Sequence, residues 1–170
     1  MALSMHQASV PVLTRALSNL KHVLSLGEAH AIARGFDPAL LVQARLTPDM
    51  LPLVRQVQIA CDMARRGCAR LAGIEPEAVA DDEADFAALY ARIDRTCENI
   101  TAYTDAQIDG SEEREIVVKM RNYDELRFNG RDYLLNYVVP NLFFHSTTVY
   151  ALLRQSGVPL GKLDFMGKAG

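Results

Sequence analysis

Three cysteines in 170 residues, Cys61, Cys68 and Cys97, are odd in number and show no C-x-x-C spacing. That excludes a disulfide framework and points to free thiols in a reducing compartment. The longest apolar run, around Tyr137 to Phe144, is too short to span a bilayer. The opening M-A-L-S-M-H-Q has neither a basic region nor an apolar signal core, so no secretion signal is expected. Net charge is −3 with no basic stripe, which argues against a nucleic-acid partner. Internal repeats, low-complexity tracts, a glycine-rich phosphate loop, a serine-nucleophile motif and paired catalytic carboxylates are all missing. The expectation is a cytoplasmic chain without a readable catalytic signature.

What is present is an ordinary globular composition, 49% hydrophobic and 23% charged, over a length that suits one domain, residues 1–170. The stretch from Asn129 to Gly157 is the most apolar. In it Leu134, Val138, Asn141, His145, Val149 and Leu152 recur at intervals of three and four, the signature of one helix face. Neighbouring faces are apolar too, so this helix should lie centrally. Asn129 and Asp132 cap its start and Gly157 with Pro159 ends it. Pro140 frees the Asn136 carbonyl and should kink it.

Three more long helices precede it. The first starts at Ser4, whose spacing to Gln7 is that of a capping box, with core positions Val10, Leu13, Leu17, Leu20 and Leu24. A short capped helix follows Asp37-Pro38. The second long helix should run from about Met50 to Ala72 on a stripe of Val54, Val57, Cys61, Ala64, Cys68 and Leu71, with Asp49 at its start. The third, capped by Asp81 or Asp82, turns Phe86, Leu89, Ile93, Cys97 and Ile100 inward. The period then switches to two in Ile116, Val118, Met120 and again in Leu126, Phe128, predicting a β-hairpin over residues 113–128 with its tip at R-N-Y-D. The tail after Pro159 reads as irregular, with Leu163, Phe165 and Met166 folding back or meeting a second subunit. The fold class is all-α: a four-helix bundle with a short hairpin inserted before the last helix.

Four blocks carry a resemblance. They are S-M-H-Q-A-S-V-P-V-L-T-R-A-L-S-N-L, A-R-L-T-P-D-M-L-P-L-V-R-Q-V-Q-I-A-C-D-M-A, D-G-S-E-E-R-E, and the long last block G-R-D-Y-L-L-N-Y-V-V-P-N-L-F-F-H-S-T-T-V-Y-A-L-L-R-Q-S-G-V-P-L-G-K-L-D-F-M-G. Together they resemble an uncharacterised family, known only as a domain of unknown function, within the DinB-like superfamily of four-helix bundles. The resemblance implies that fold over nearly the whole chain and a homodimer, with no established activity. Better-known DinB-like proteins hold a divalent metal through one histidine on the second helix and an H-x-x-x-H pair on the last, and some use it for thiol transfer. Only His145 matches: Val149 stands four positions on, Asn141 four positions back, and the second helix offers Gln56 and Gln58 instead of histidine. The resemblance therefore implies a degenerate or absent metal site with His145 the one weak ligand, and no cofactor is expected.

Of the candidates, His145 is the sharpest. Buried in the bundle it is either a core histidine satisfied by a neighbour or the polar centre of a ligand pocket. Asn141, Tyr137, Gln56, Gln58 and Asp62 complete the pocket set, Asp62 orienting the imidazole; the competing reading of Asp62 is a surface pair with Arg66. His6 extends the first helix's stripe, His22 faces solvent and His30 has no partner at helical spacing. Cys61, Cys68 and Cys97 read as buried, inert thiols. Catalytic residues are not identifiable. The leading expectation is a small-molecule-binding DinB-like bundle. The alternatives are a metal-dependent thiol transferase or hydrolase-like enzyme, and a non-catalytic dimeric interaction module.

Overall fold

A computed structural model describes residues 3–119 and 124–167. Met120 and the R-N-Y part of the expected hairpin tip lie outside the described residues. Helix α1 (Met5–Arg34) opens on the expected capping box: the Gln7 N–H donates to Ser4 Oγ and Gln7 Oε1 accepts from the Ser4 N–H, both at 3.2 Å. It runs unbroken through Pro11 and Gly27. Gly27 sits where an added Cβ would come within 2.8 Å of Leu153, so it allows a close helix contact. Helix α2 (Ala39–Val42) is the short helix after Asp37-Pro38.

Helix α3 (Leu53–Leu71) starts later than expected, after Pro52 in extended backbone, and Asp49 stays in the preceding loop, hydrogen-bonded to the Thr47 hydroxyl. Its stripe from Val54 to Leu71 is buried throughout. Helix α4 (Phe86–Thr101) is capped by Asp85, whose Oδ1 accepts from the Ala88 N–H at 2.8 Å, and not by Asp81 or Asp82. The reason is electrostatic: Asp81 is drawn back onto two arginines and cannot serve a helix end. On α4 Phe86, Leu89, Ile93 and Ile100 are buried as expected, whereas Cys97 is only half-buried.

A short helix α5 (Asp105–Ile108) leads to strands β1 (Ile116–Val118) and β2 (Leu126–Phe128), an antiparallel pair with Ile116 opposite Phe128 and Val118 opposite Leu126. Ile116 and Val118 are buried, so the hairpin lies on the bundle. Helix α6 (Gly130–Tyr133) begins at the Asn129 cap. An added Cβ on Gly130 would lie 1.9 Å from the Ser111 carbonyl oxygen, so only glycine lets the two backbones meet there.

The chain then passes through a π-helical turn, Leu134–Val138, into α7 (Val139–Gln155). Pro140 has no N–H to give, and the wide turn accommodates it: the Val139 N–H reaches the Leu134 carbonyl, five residues back. The extra residue rotates the face downstream. Leu142, Ser146, Val149, Leu152 and Leu153 take the buried positions, while Asn141 and His145 move to the edge of the stripe and are half-buried.

Around the bundle α3 packs between α7 and α4, and α1 closes the ring against both. The tail is not irregular as expected: α8 (Lys162–Met166) lies on α1, with Phe165 against Phe143 and Tyr150. Leu163 and Met166 remain exposed. Among the described residues no helix is long and apolar enough to cross a membrane.

Candidate functional site

Gln56 and Gln58 are two residues apart, which on a helix is about 200° of rotation. They therefore cannot serve one pocket. Both are buried because α3 has a neighbour on each side: Gln56 turns to α7 and Gln58 turns to α4. The sequence-derived set of six candidates divides along this line.

On the α7 side, His145 Nδ1 stands 2.7 Å from Gln56 Oε1. The Gln56 amide nitrogen donates to the Leu51 carbonyl at 3.0 Å, which fixes its oxygen toward the ring. An amide oxygen only accepts, so Nδ1 carries the proton and donates. In the neutral ring Nε2 then holds the lone pair, and it has no partner among the described residues. Burial lowers the His145 pKa, so the neutral form prevails at neutral pH. The alternative outcome, a pKa raised by a neighbouring Asp62, is not what the structure gives. The Phe144 ring lies edge-on to the imidazole at 5.2 Å.

Asn141 sits one turn back, but its side-chain nitrogen donates to the Tyr137 carbonyl at 2.6 Å. It serves the backbone disturbed by Pro140 and does not meet His145. Tyr137 joins Phe128 and Tyr133 in an aromatic cluster beneath the hairpin, with ring centroids 5.4–5.8 Å apart. Arg70 donates to the Tyr133 hydroxyl at 3.0 Å from the other side.

On the α4 side the polar groups are ionic. The Gln58 amide nitrogen donates to Glu83 Oε2 at 2.8 Å, and its oxygen accepts from Arg55 at 2.6 Å. Arg92, almost fully buried, is the hub. One of its terminal nitrogens donates to both Glu83 oxygens at 3.1 Å and to the Ala80 carbonyl at 2.8 Å. The other meets Asp62 at 3.1 Å and Asp81 at 3.0 Å. Asp62 also pairs with Arg66 at 2.8 Å, so the expected surface pair exists, and with Arg65 at 3.4 Å. Asp81 takes Arg55 as a second partner at 2.5 Å. Burial pushes the Asp81 pKa up, but the hydrogen bond and charge of Arg55 and the charge of Arg92 outweigh it and hold it below the usual carboxylate value.

Neither Gln58 nor Asp62 is engaged by His145, contrary to expectation. The carboxylate expected to orient the imidazole is committed to three guanidinium groups instead. Arg92 and Glu83 are not among the residues that the sequence singles out. One signal was available: Arg92 directly precedes the core position Ile93, in the part of α4 that faces α3.

The other histidines stay apart. His6 contacts the Tyr103 carbonyl through Nε2 at 3.1 Å and Asp105 through Nδ1 at 3.0 Å. His22 is exposed near Asp164, and His30 lies against Phe36. Burial pushes the Cys61 and Cys68 thiols up to about 12, so both are inert near neutral pH. No group of three or more His, Cys, Asp or Glu side chains suited to a metal occurs among the described residues. The donor set at His145, one imidazole with Nδ1 engaged, an amide oxygen and Val149 where a second imidazole would stand, does not fit a three-histidine centre.

The sequence profile of a family described as a domain of unknown function, DUF1993, matches residues 5–166. Among solved structures, a crystal structure of a DinB family member protein from Shewanella denitrificans is 31% identical, with a TM-score of 0.88 over 96% of this chain and 92% of that one. No protein of curated function matches.

Proposed function

The chain belongs to the DUF1993 family and shares the bundle of a DinB family member, and on that premise we propose that it is a small-molecule-binding protein whose ligand meets His145. The observation that carries this is the Gln56–His145 hydrogen bond. It spends Nδ1 on the protein, fixes the tautomer and leaves a neutral Nε2 as an acceptor at a half-buried seam between α3 and α7. At this half-buried position Nε2 is not sealed in the core, so a ligand can reach it without opening the seam. The site is that of a degenerate metal centre: the positions are polar, but the chemistry is hydrogen bonding rather than ligation.

Ligand-observed NMR with a library of hydrogen-bond-donating fragments tests the proposal. Fragments that bind the wild type and are lost in a folded His145→Phe variant support it; an identical set of hits for both proteins contradicts it. The metal-dependent alternative, a thiol transferase or hydrolase-like enzyme, makes a different demand. Stoichiometric zinc, nickel or manganese in protein purified without a histidine tag would favour it over a site that acts by hydrogen bonding alone.

The non-catalytic dimeric module is favoured by a separate feature. Phe143, Phe144, Leu163 and Met166 are exposed on α7 and α8, an apolar set on adjoining elements. The proposal includes a homodimer and a cytoplasmic location. Light scattering at micromolar concentration should return about twice the mass of one chain, and the mass of one chain would refute the dimer.

A further inference from the structure

The connection between α3 and α4, residues 72–85, has no regular secondary structure and is long for a compact bundle. Arg92 holds its far end through Ala80, Asp81 and Glu83. Its near end and the facing helices line a partly open cleft of ≈ 400 Å³. Helices α3 and α4 supply Asp62, Arg65, Arg95 and Asn99, with Tyr103 just past the end of α4; the loop supplies the apolar Ile74, Pro76 and Val79.

The cleft lining itself is balanced, Arg65, Arg92 and Arg95 against Asp62, Glu75 and Glu77, but the arginines share their direct partners unevenly. In the connected network four arginines, Arg55, Arg65, Arg66 and Arg92, share three carboxylates, Asp62, Asp81 and Glu83. The deficit falls on Arg65. Its side chain is 12% exposed, yet its one partner among the described residues is Asp62 at 3.4 Å, and that oxygen is shared with Arg92. None of the Arg65 nitrogens is sealed from solvent without a partner, and the side chain lines the cleft, so its remaining N–H groups are open to an acceptor there. Arg95, on the same wall, has no hydrogen bond or ion pair among the described residues. Glu75 and Glu77 also line the cleft from the exposed loop. They set an upper limit on ligand charge, because a polyanion would meet two carboxylates in the lining.

We propose that this cleft is a binding site for a small organic monoanion, its carboxylate or equivalent group held by Arg65 and Arg95 and its apolar body lying against Ile74, Pro76 and Val79. A planar carboxylate matches the fork of a guanidinium in two-point contact. The volume is ample for a ring with one charged substituent. The site is separate from His145, which lies on the opposite side of α3, and it does not depend on what that residue binds.

The test uses benzoate as probe, with benzylamine and benzyl alcohol as its cationic and neutral counterparts, followed by NMR of the arginine side-chain N–H groups. Saturable benzoate binding that shifts the Arg65 resonance is expected, with no saturation by the two counterparts. Arg65→Gln should weaken benzoate about tenfold or more. Arg95→Gln, at an exposed position that the fold does not need, should weaken it several-fold and guards against a misfolded Arg65 variant. Arg34→Gln, the same charge change on α1 outside the cleft, should leave the affinity as it was. Absence of saturation by benzoate, equal binding of benzylamine, or unchanged affinity in both Arg65→Gln and Arg95→Gln would overturn the proposal.

Discussion

On the α7 side of α3, Gln56 meets a neutral imidazole across 2.7 Å. On the α4 side, two residues on, Gln58 meets the Glu83 carboxylate at 2.8 Å inside a network built on Arg92. Both glutamines are buried, and both are satisfied, but the means differ. The first contact is a single neutral hydrogen bond that engages Nδ1 and leaves Nε2 without a protein partner among the described residues. The second belongs to an ionic network centred on the buried Arg92 and Glu83, and it ties residues 80–83 of the connection to α3 and α4. The difference separates a seam held by one neutral hydrogen bond from a face held by a network of charges.

The largest effect that would expose this contrast is at Arg92. Arg92→Met should destabilise the protein by about 3–5 kcal/mol in urea unfolding, because it leaves the buried Glu83 without its cation and removes one of the three arginines on Asp62. A loss under about 1 kcal/mol would mean that water or neighbouring arginines can replace it, and the face would not be the rigid one. Gly67→Ala probes how tightly the α7 side is packed: an added Cβ would lie 2.8 Å from Val138. The expected cost is about 1–3 kcal/mol, limited by how far the Val138 side chain can move. Smaller again is the Gln56–His145 hydrogen bond. A double-mutant cycle with Gln56→Leu and His145→Phe should give a coupling of about 0.5–1.5 kcal/mol. A coupling near zero would mean that the bond does not hold the two helices together.

The smallest expected effect is in pH dependence, and it falls in different windows for the two faces. The folded pKa of His145 lies below its ordinary value of 6.5 because burial disfavours the cation. The unfolded chain thus takes up the proton first, and stability falls as pH drops from about 6.5 through the folded value. His145→Phe should flatten that part of the stability profile relative to wild type. Asp81 is held below 3.8, so its contribution is present above that pH and is lost only as pH falls through the lower folded value. Asp81→Asn should change the profile in that more acid range alone. A slope between pH 5 and 7 unaltered in His145→Phe would show that the imidazole is no more buried folded than unfolded.

Much of the architecture was legible because it rests on periodicity. The stripes of α1, α3 and α4, the Ser4 and Asn129 caps, the glycine at the end of α7 and the alternation in the hairpin are all local patterns. The site was legible only in part. His145 and Gln56 were both singled out, but so was Gln58 on the same helix, and only the packing of α3 between two helices decides which of them faces α7. The offset of His145 to the edge of its stripe comes from the π turn at Pro140, whose extra residue a regular helical wheel does not contain. Arg92 and Glu83 could not be paired from sequence: one lies in a helix, the other in a loop with no period, and a buried ion pair leaves no local spacing. The same holds for Arg65, whose shortage of partners is visible only once Asp62 is seen to be shared.

The central claim is that the α7 side of α3 carries a neutral imidazole with its proton on Nδ1 and an open Nε2, while the charge of the α3 seams lies on the other side. Long-range ¹H–¹⁵N NMR of the His145 ring at neutral pH measures this directly. The expected result is a protonated Nδ1 coupled to Gln56, an unprotonated Nε2, and loss of that tautomer preference in Gln56→Leu. A ring protonated on both nitrogens, or a neutral ring with its proton on Nε2, would contradict the claim.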